Sequence, residues 1–78
     1  MTTTYFFDLN EAEGCNPDSE GRRFATADDA FEHARRSLRF FVGQQAFEGV
    51  IPVTCNIVVR TEAGMHRVVS FAEALHVA

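Results

Sequence analysis

The chain has 78 residues, 46% of them hydrophobic and 23% charged, with 11 acidic side chains against 7 basic ones for a net charge of −4. That length suits one domain over residues 1–78, and a domain so short buries only about 60% of the surface its unfolded chain exposes. The composition excludes a disordered chain, and the longest purely apolar run, as at Ile57-Val58-Val59, is too short to span a membrane.

All the basic residues are arginine. An acidic balance argues against a protein that coats nucleic acid, where a basic surface must displace counterions, and against an anionic membrane surface. The N-terminal stretch MTTTYFFDLN has no basic segment followed by a long apolar one, so no secretory leader is expected and the cytoplasm is the expected location. There Cys15 and Cys55 are expected to be free thiols.

Thr3 to Leu9 is rich in aromatic and β-branched residues and predicts a first strand. Asn10 to Gly21 is dense in Gly, Asn, Asp, Ser and Pro and predicts a loop. Arg22 to Ala25 fits a short second strand closing a hairpin. Thr26 then opens a helix. Thr26-x-x-Asp29 resembles a capping box, and Asp28 and Asp29 put negative charge at the positive end of the helix dipole. At 100° per residue Ala27, Ala30, Phe31, Ala34, Leu38, Phe41 and Val42 share an arc of roughly 120°, a single core-facing stripe. Gly43 weakens the helix, which is expected to end between there and Gly49, before Pro52. Val53 to Thr61 predicts a strand, Thr61-Glu62-Ala63-Gly64 a tight turn with Gly at the left-handed position, and Met65 to Phe71 the returning strand. Ser70-x-x-Glu73 matches a capping box, so Phe71 to His76 is expected to make a last helical turn. The fold class is therefore α+β: β-β-α-β-β, a small antiparallel sheet with one main helix packed on one face and a short C-terminal helical turn.

Two Phe-Phe pairs disturb this simple picture. Side chains alternate faces along a strand, so Tyr5 and Phe7 share one face and Phe6 takes the other. In the second hairpin Ile57, Val59, Val69 and Phe71 share a face, leaving Val58 and Val68 opposite. One helix covers one face of the sheet, so Phe6, Val58 and Val68 are candidates for an apolar patch on the uncovered face. On the helix Phe40 lies about 160° from the centre of the core stripe, and Phe47, seven residues on, joins it. The simpler reading folds Phe40 onto Arg36 or under the following loop, since single exposed apolar residues need no explanation. The sharper reading makes these residues a subunit contact, because a twofold dimer is the commonest cover for an apolar patch on a small protein.

No motif declares a chemistry. His33, His66, His76, Cys15 and Cys55 have none of the close spacings of a zinc site, so no metal or cofactor is expected. Cys15 and His33 lack a third group and an oxyanion-hole motif, so no catalytic residue is assigned. Arg35, Arg36 and Arg39 on the helix are candidate anion contacts for phosphate or RNA. Asp28 and Glu32 share that side, however, and Glu32-Arg36 is an i,i+4 pair, so a solvated, salt-bridged face is the simpler reading.

Taken with Tyr5-Phe6-Phe7-Asp8, the Asp18-Ser19-Glu20-Gly21 turn, the Ala27 to Arg39 helix, Ile57 to Gly64 and the ending Val69 to Leu75, the chain resembles a family of short uncharacterised alpha-proteobacterial proteins known only as a domain of unknown function. The resemblance covers nearly the whole chain and implies no catalytic residue, cofactor or substrate. The chain departs from it in the aromatic segment FFVGQQAF and in Cys15 and Cys55. The expectation is a cytoplasmic, non-enzymatic protein-interaction or regulatory module, a homodimer contacting through Phe6, Val58, Val68, Phe40 and Phe47, with an unknown protein partner. The alternative is a nucleic-acid-associated regulator using Arg35, Arg36 and Arg39.

Overall fold

A computed structural model describes residues 1–75. The elements run β1 (Thr3–Glu11), β2 (Gly14–Asn16), β3 (Arg22–Phe24), α1 (Ala27–Phe47), β4 (Asn56–Thr61), β5 (His66–Ser70) and α2 (Phe71–Leu75). All strand pairs are antiparallel. The sheet order is β2-β1-β4-β5, and β3 pairs with the same edge of β1 as β2 does, further toward its start. The α+β class, the main helix and the short last helix agree with the sequence.

The stretch expected to be a loop over Asn10 to Gly21 holds a strand instead. β1 continues to Glu11, turns at Ala12-Glu13, and Gly14–Asn16 returns along it. Polar side chains at Asn10 and Glu11 suggested a loop, but the sheet gives both a partner: Asn10 donates to the Asn56 side chain at 2.9 Å and Glu11 accepts from that of Asn16 at 2.6 Å. At the other end, β4 starts at Asn56 rather than Val53. The Cys55 N–H donates to the Pro52 carbonyl at 3.1 Å, so Val53 and Thr54 are spent in a turn. His76 lies outside the described residues.

α1 begins where the capping pattern placed it. Thr26 is extended, and its Oγ1 accepts the Asp29 N–H at 3.1 Å, satisfying one of the free donors of the first turn. The helix ends in a Schellman arrangement: the Val50 N–H donates to the Gln45 carbonyl at 2.8 Å and the Gly49 N–H to that of Ala46 at 3.0 Å. Gly49 supplies the left-handed backbone this requires, at φ 89°. The Ser70 hydroxyl accepts the Glu73 N–H and starts α2.

The core lies between α1 and one face of the sheet. Ala30, Ala34, Leu38 and Val42 of the helix are buried against Tyr5, Ile57, Val59 and Val69 of the strands, with Cys55 and Ala74 at the ends. Phe7, Phe31 and Phe41 pack against this cluster from its sides. The alanines on the stripe let the helix sit close to the β-branched surface. Each Phe-Phe pair thus splits, with Phe7 and Phe41 turned inward. Among the described residues no helix lies on the opposite face of the sheet.

Candidate interaction surface

The outward member of the helical pair stays in solvent. Phe40 is 67% exposed and Phe47 is 94% exposed. With Gly43 and Gln44 they follow the i, i+3, i+4, i+7 spacing of one helix face. Together with Glu48 they outline an open depression of about 650 Å³. Among the described residues Gly43 has no neighbour that explains it: a Cβ built there would meet nothing within 4 Å. The stripe thus presents two phenyl rings separated by a flat gap. Beyond the helix end Val50, Ile51 and Val53 are exposed as well. The sequence did not single these out, although an apolar run broken only by Pro52 was a visible signal.

The three helix arginines converge on one carboxylate. Glu32 accepts hydrogen bonds from Arg35 at 3.0 Å and forms ion pairs with Arg36 at 3.3 Å and Arg39 at 3.5 Å. The Arg35 hydrogen bond, with the charges of all three, holds the Glu32 carboxyl below its ordinary range. Arg35 also reaches Glu73, and Arg39 donates to the Ala74 carbonyl at 3.1 Å, so both tie α1 to α2. Arg67 completes the tie through Glu73 at 2.9 Å while its guanidinium lies 4.5 Å from the Phe31 ring centre. Arg36 alone stands out, with its side chain 74% exposed.

On the bare sheet face Phe6 is half-buried rather than open. The Arg60 guanidinium lies over its ring at 4.6 Å, and the backbone of Gly21 presses on its edge so closely that a Cβ there would sit 2.9 Å from the ring. Arg60 is held by Asp8 at 2.7 Å and by the Asp18 carbonyl at 3.0 Å. Val58 is half-buried and pairs across the strands with Val68, which is 49% exposed. The sheet face therefore offers a small valine pair beside a roofed phenylalanine.

Asp18 fixes the segment that crosses this face. Its carboxylate accepts the N–H groups of Phe7, Glu20 and Gly21, each at 3.1 Å, and its own N–H donates to Asp8 at 2.8 Å. Burial pushes the Asp8 and Asp18 carboxyls up. For Asp8 the Arg60 bond and the Asp18 N–H outweigh burial, and for Asp18 the three backbone donors do, so both stay below the usual carboxylate range. The resembling motifs Tyr5-Phe6-Phe7-Asp8, Asp18 to Gly21 and Ile57 to Gly64 meet in this network.

The residues weighed for chemistry are dispersed. Cys15 is exposed on β2 and pairs across from Asn10, on the bare face. His33 packs on the covered side, 4.8 Å from the Phe7 ring and 5.3 Å from that of Phe24. Burial, then the charges of Arg22 and Arg36, lower its pKa. His66 sits on β5, at the far edge of the sheet from Cys15. Among the described residues no three His, Cys, Asp or Glu side chains gather as a metal site, and no helix is long and apolar enough to cross a membrane.

A family model described as a domain of unknown function, DUF6894, matches residues 4–72. No curated protein and no solved structure matches the chain.

Proposed function

The chain belongs to the DUF6894 family, a domain of unknown function, and we propose that it is a non-enzymatic protein-interaction and regulatory module that works as a homodimer. The observation that carries this reading is the outer stripe of α1, where Phe40 and Phe47 flank Gly43 in solvent. Glycine in a helix interior costs about 1 kcal/mol relative to alanine, and none of the described residues needs the space it leaves. A stripe with a ring at each end and a gap at its centre can face a copy of itself, which is the requirement of a twofold contact. Phe40 of one copy then packs beside Phe47 of the other, and Gly43 at the crossing lets the two helices approach closely. The valine pair on the sheet face and the roofed Phe6 are secondary.

The alternative, a nucleic-acid regulator reading through Arg35, Arg36 and Arg39, is less well supported. Arg35 and Arg39 are spent on joining α1 to α2, and their charge is shared with Glu32 and Glu73. We also propose a cytoplasmic setting, in which Cys15 and Cys55 remain thiols, and an alpha-proteobacterial source in keeping with the resemblance noted in the sequence.

Phe40→Ser and Phe47→Ser test the reading. Both residues are exposed, so the variants keep the wild-type circular dichroism and, at concentrations where the wild type is monomeric, its melting temperature, but lose association in size exclusion. Variants that associate as the wild type does would refute the contact.

A further inference from the structure

The seven arginines stand on β3, on α1 before Phe40, and on β4 and β5, so among the described residues no arginine stands at the C-terminal end of α1. The last turn holds no basic residue, and Glu48 occupies the C-cap position. A carboxylate there faces the negative end of the helix dipole, an unfavourable placement that most helices avoid or offset with Lys, Arg or His. Among the described residues Glu48 makes no ion pair. Arg36, meanwhile, reaches into solvent from the outer stripe, four residues before Phe40. Of the three arginines on Glu32 it is the least anchored, and Glu32 keeps Arg35 and Arg39 when Arg36 swings away.

Resting on the homodimer proposed above, we infer that Arg36 of each copy sits against the C-terminal end of the other copy's α1 and neutralises it. The register follows from the stripe. Phe40 and Phe47 are equally spaced about the junction of Gly43 and Gln44. A twofold axis there pairs the helices antiparallel, with Phe40 beside the partner copy's residue 47. Arg36 then lies roughly 6 Å further along the axis, at about 1.5 Å per residue, just past the end of the opposing helix. At 100° per residue Arg36 falls about 30° from the centre of the stripe, so it faces the second helix rather than flanking it. The same axis creates the contact twice. The second copy is thus recognised by two features: an apolar stripe whose central gap lets the rings of Phe40 and Phe47 meet across the axis, and a negative helix end that takes a guanidinium.

The experiment measures the dimer dissociation constant by sedimentation equilibrium for the wild type, Arg36→Glu, Glu48→Arg and the double variant, at low and high salt. Arg36→Gln is added because it removes the cation without setting a second carboxylate beside Glu32. The expected result is that each charge reversal weakens the dimer by about tenfold or more and that the double reversal recovers most of the loss. Arg36→Gln weakens it less, and salt weakens the wild type but not the double variant's relative deficit. A wild type that dimerises while both reversals match it, or a double variant no tighter than the singles, would overturn the Arg36 contact and leave the homodimer standing. A wild type that is monomeric at every concentration would overturn the homodimer and the Arg36 contact together.

Discussion

At Asp18 one carboxylate takes three backbone N–H groups, and the Phe7 group among them lies on β1 between the stretches paired with β2 and β3. Asparagine cannot replace it, because one of its two side-chain positions is a donor and would face a donor. Asp18→Asn should therefore cost about 1–3 kcal/mol in urea denaturation at pH 7, and an unchanged midpoint would count against the network. Acid should act on the same place. The folded pKa values of Asp8 and Asp18 lie below their unfolded ones, so their stabilisation is complete above an unfolded value of about 3.9 and is lost as pH falls through the depressed values. His33 adds loss in the same direction from higher pH. Its folded value is also lowered, so the neutral ring stabilises above about 6.5 and that contribution falls away below it. Denaturation midpoints at pH 7, 5 and 3 should decline in two stages, and Asp18→Asn should flatten the lower one. None of this was legible in the sequence. Asp8 and Arg60 become neighbours only through a register between strands 52 positions apart, and no local pattern encodes that.

Along α1 two glycines make opposite predictions. Gly49 has φ 89° and closes the helix, so Gly49→Ala should lose about 1 kcal/mol of stability through its left-handed backbone. Gly43 is helical with open space where a Cβ would go, so Gly43→Ala should gain up to about 1 kcal/mol in the monomer while weakening association by filling the gap between Phe40 and Phe47. Thermal melts at low concentration and mass at high concentration separate the two effects, and tighter association of Gly43→Ala would rule the gap out as a contact. The helix was the most readable element because a 3.6-residue period repeats over several turns and fixes which side is buried. Its start and its stop also have chemistry of their own in Thr26 and Gly49. β2 was hidden because a three-residue edge strand of exposed Gly, Cys and Asn has no buried face to impose alternation. The first residues assigned to β4 were lost for the converse reason: Val53 has strand propensity, but Pro52 and the turn it begins decide the backbone.

Taken whole, the molecule is a helix laid on one face of a sheet, thin enough that its Cα extents are 41 × 29 × 16 Å. A twofold contact along α1 would bury the helices between two sheets and leave both bare sheet faces outside. Thiol reactivity follows this layering. Cys15 on the bare face should react quickly with an aromatic disulfide reagent. Cys55 is 2% exposed and its thiol is pushed up by burial, so it should react only on unfolding. Two fast thiols per native chain would contradict the placement of Cys55. The sequence showed at this scale that Phe residues exceeded what one helix and one sheet face can bury. It could not show which surplus ring stays open, because the roof over Phe6 comes from Arg60 and Gly21, both distant in the chain, whereas none of the described residues covers Phe40 or Phe47. The solution mass of the wild-type protein, by light scattering after size exclusion across a dilution series, tests the homodimer most directly. A mass near twice 8.7 kDa that falls toward 8.7 kDa only on dilution is the predicted result, and a mass of 8.7 kDa at every concentration would contradict it.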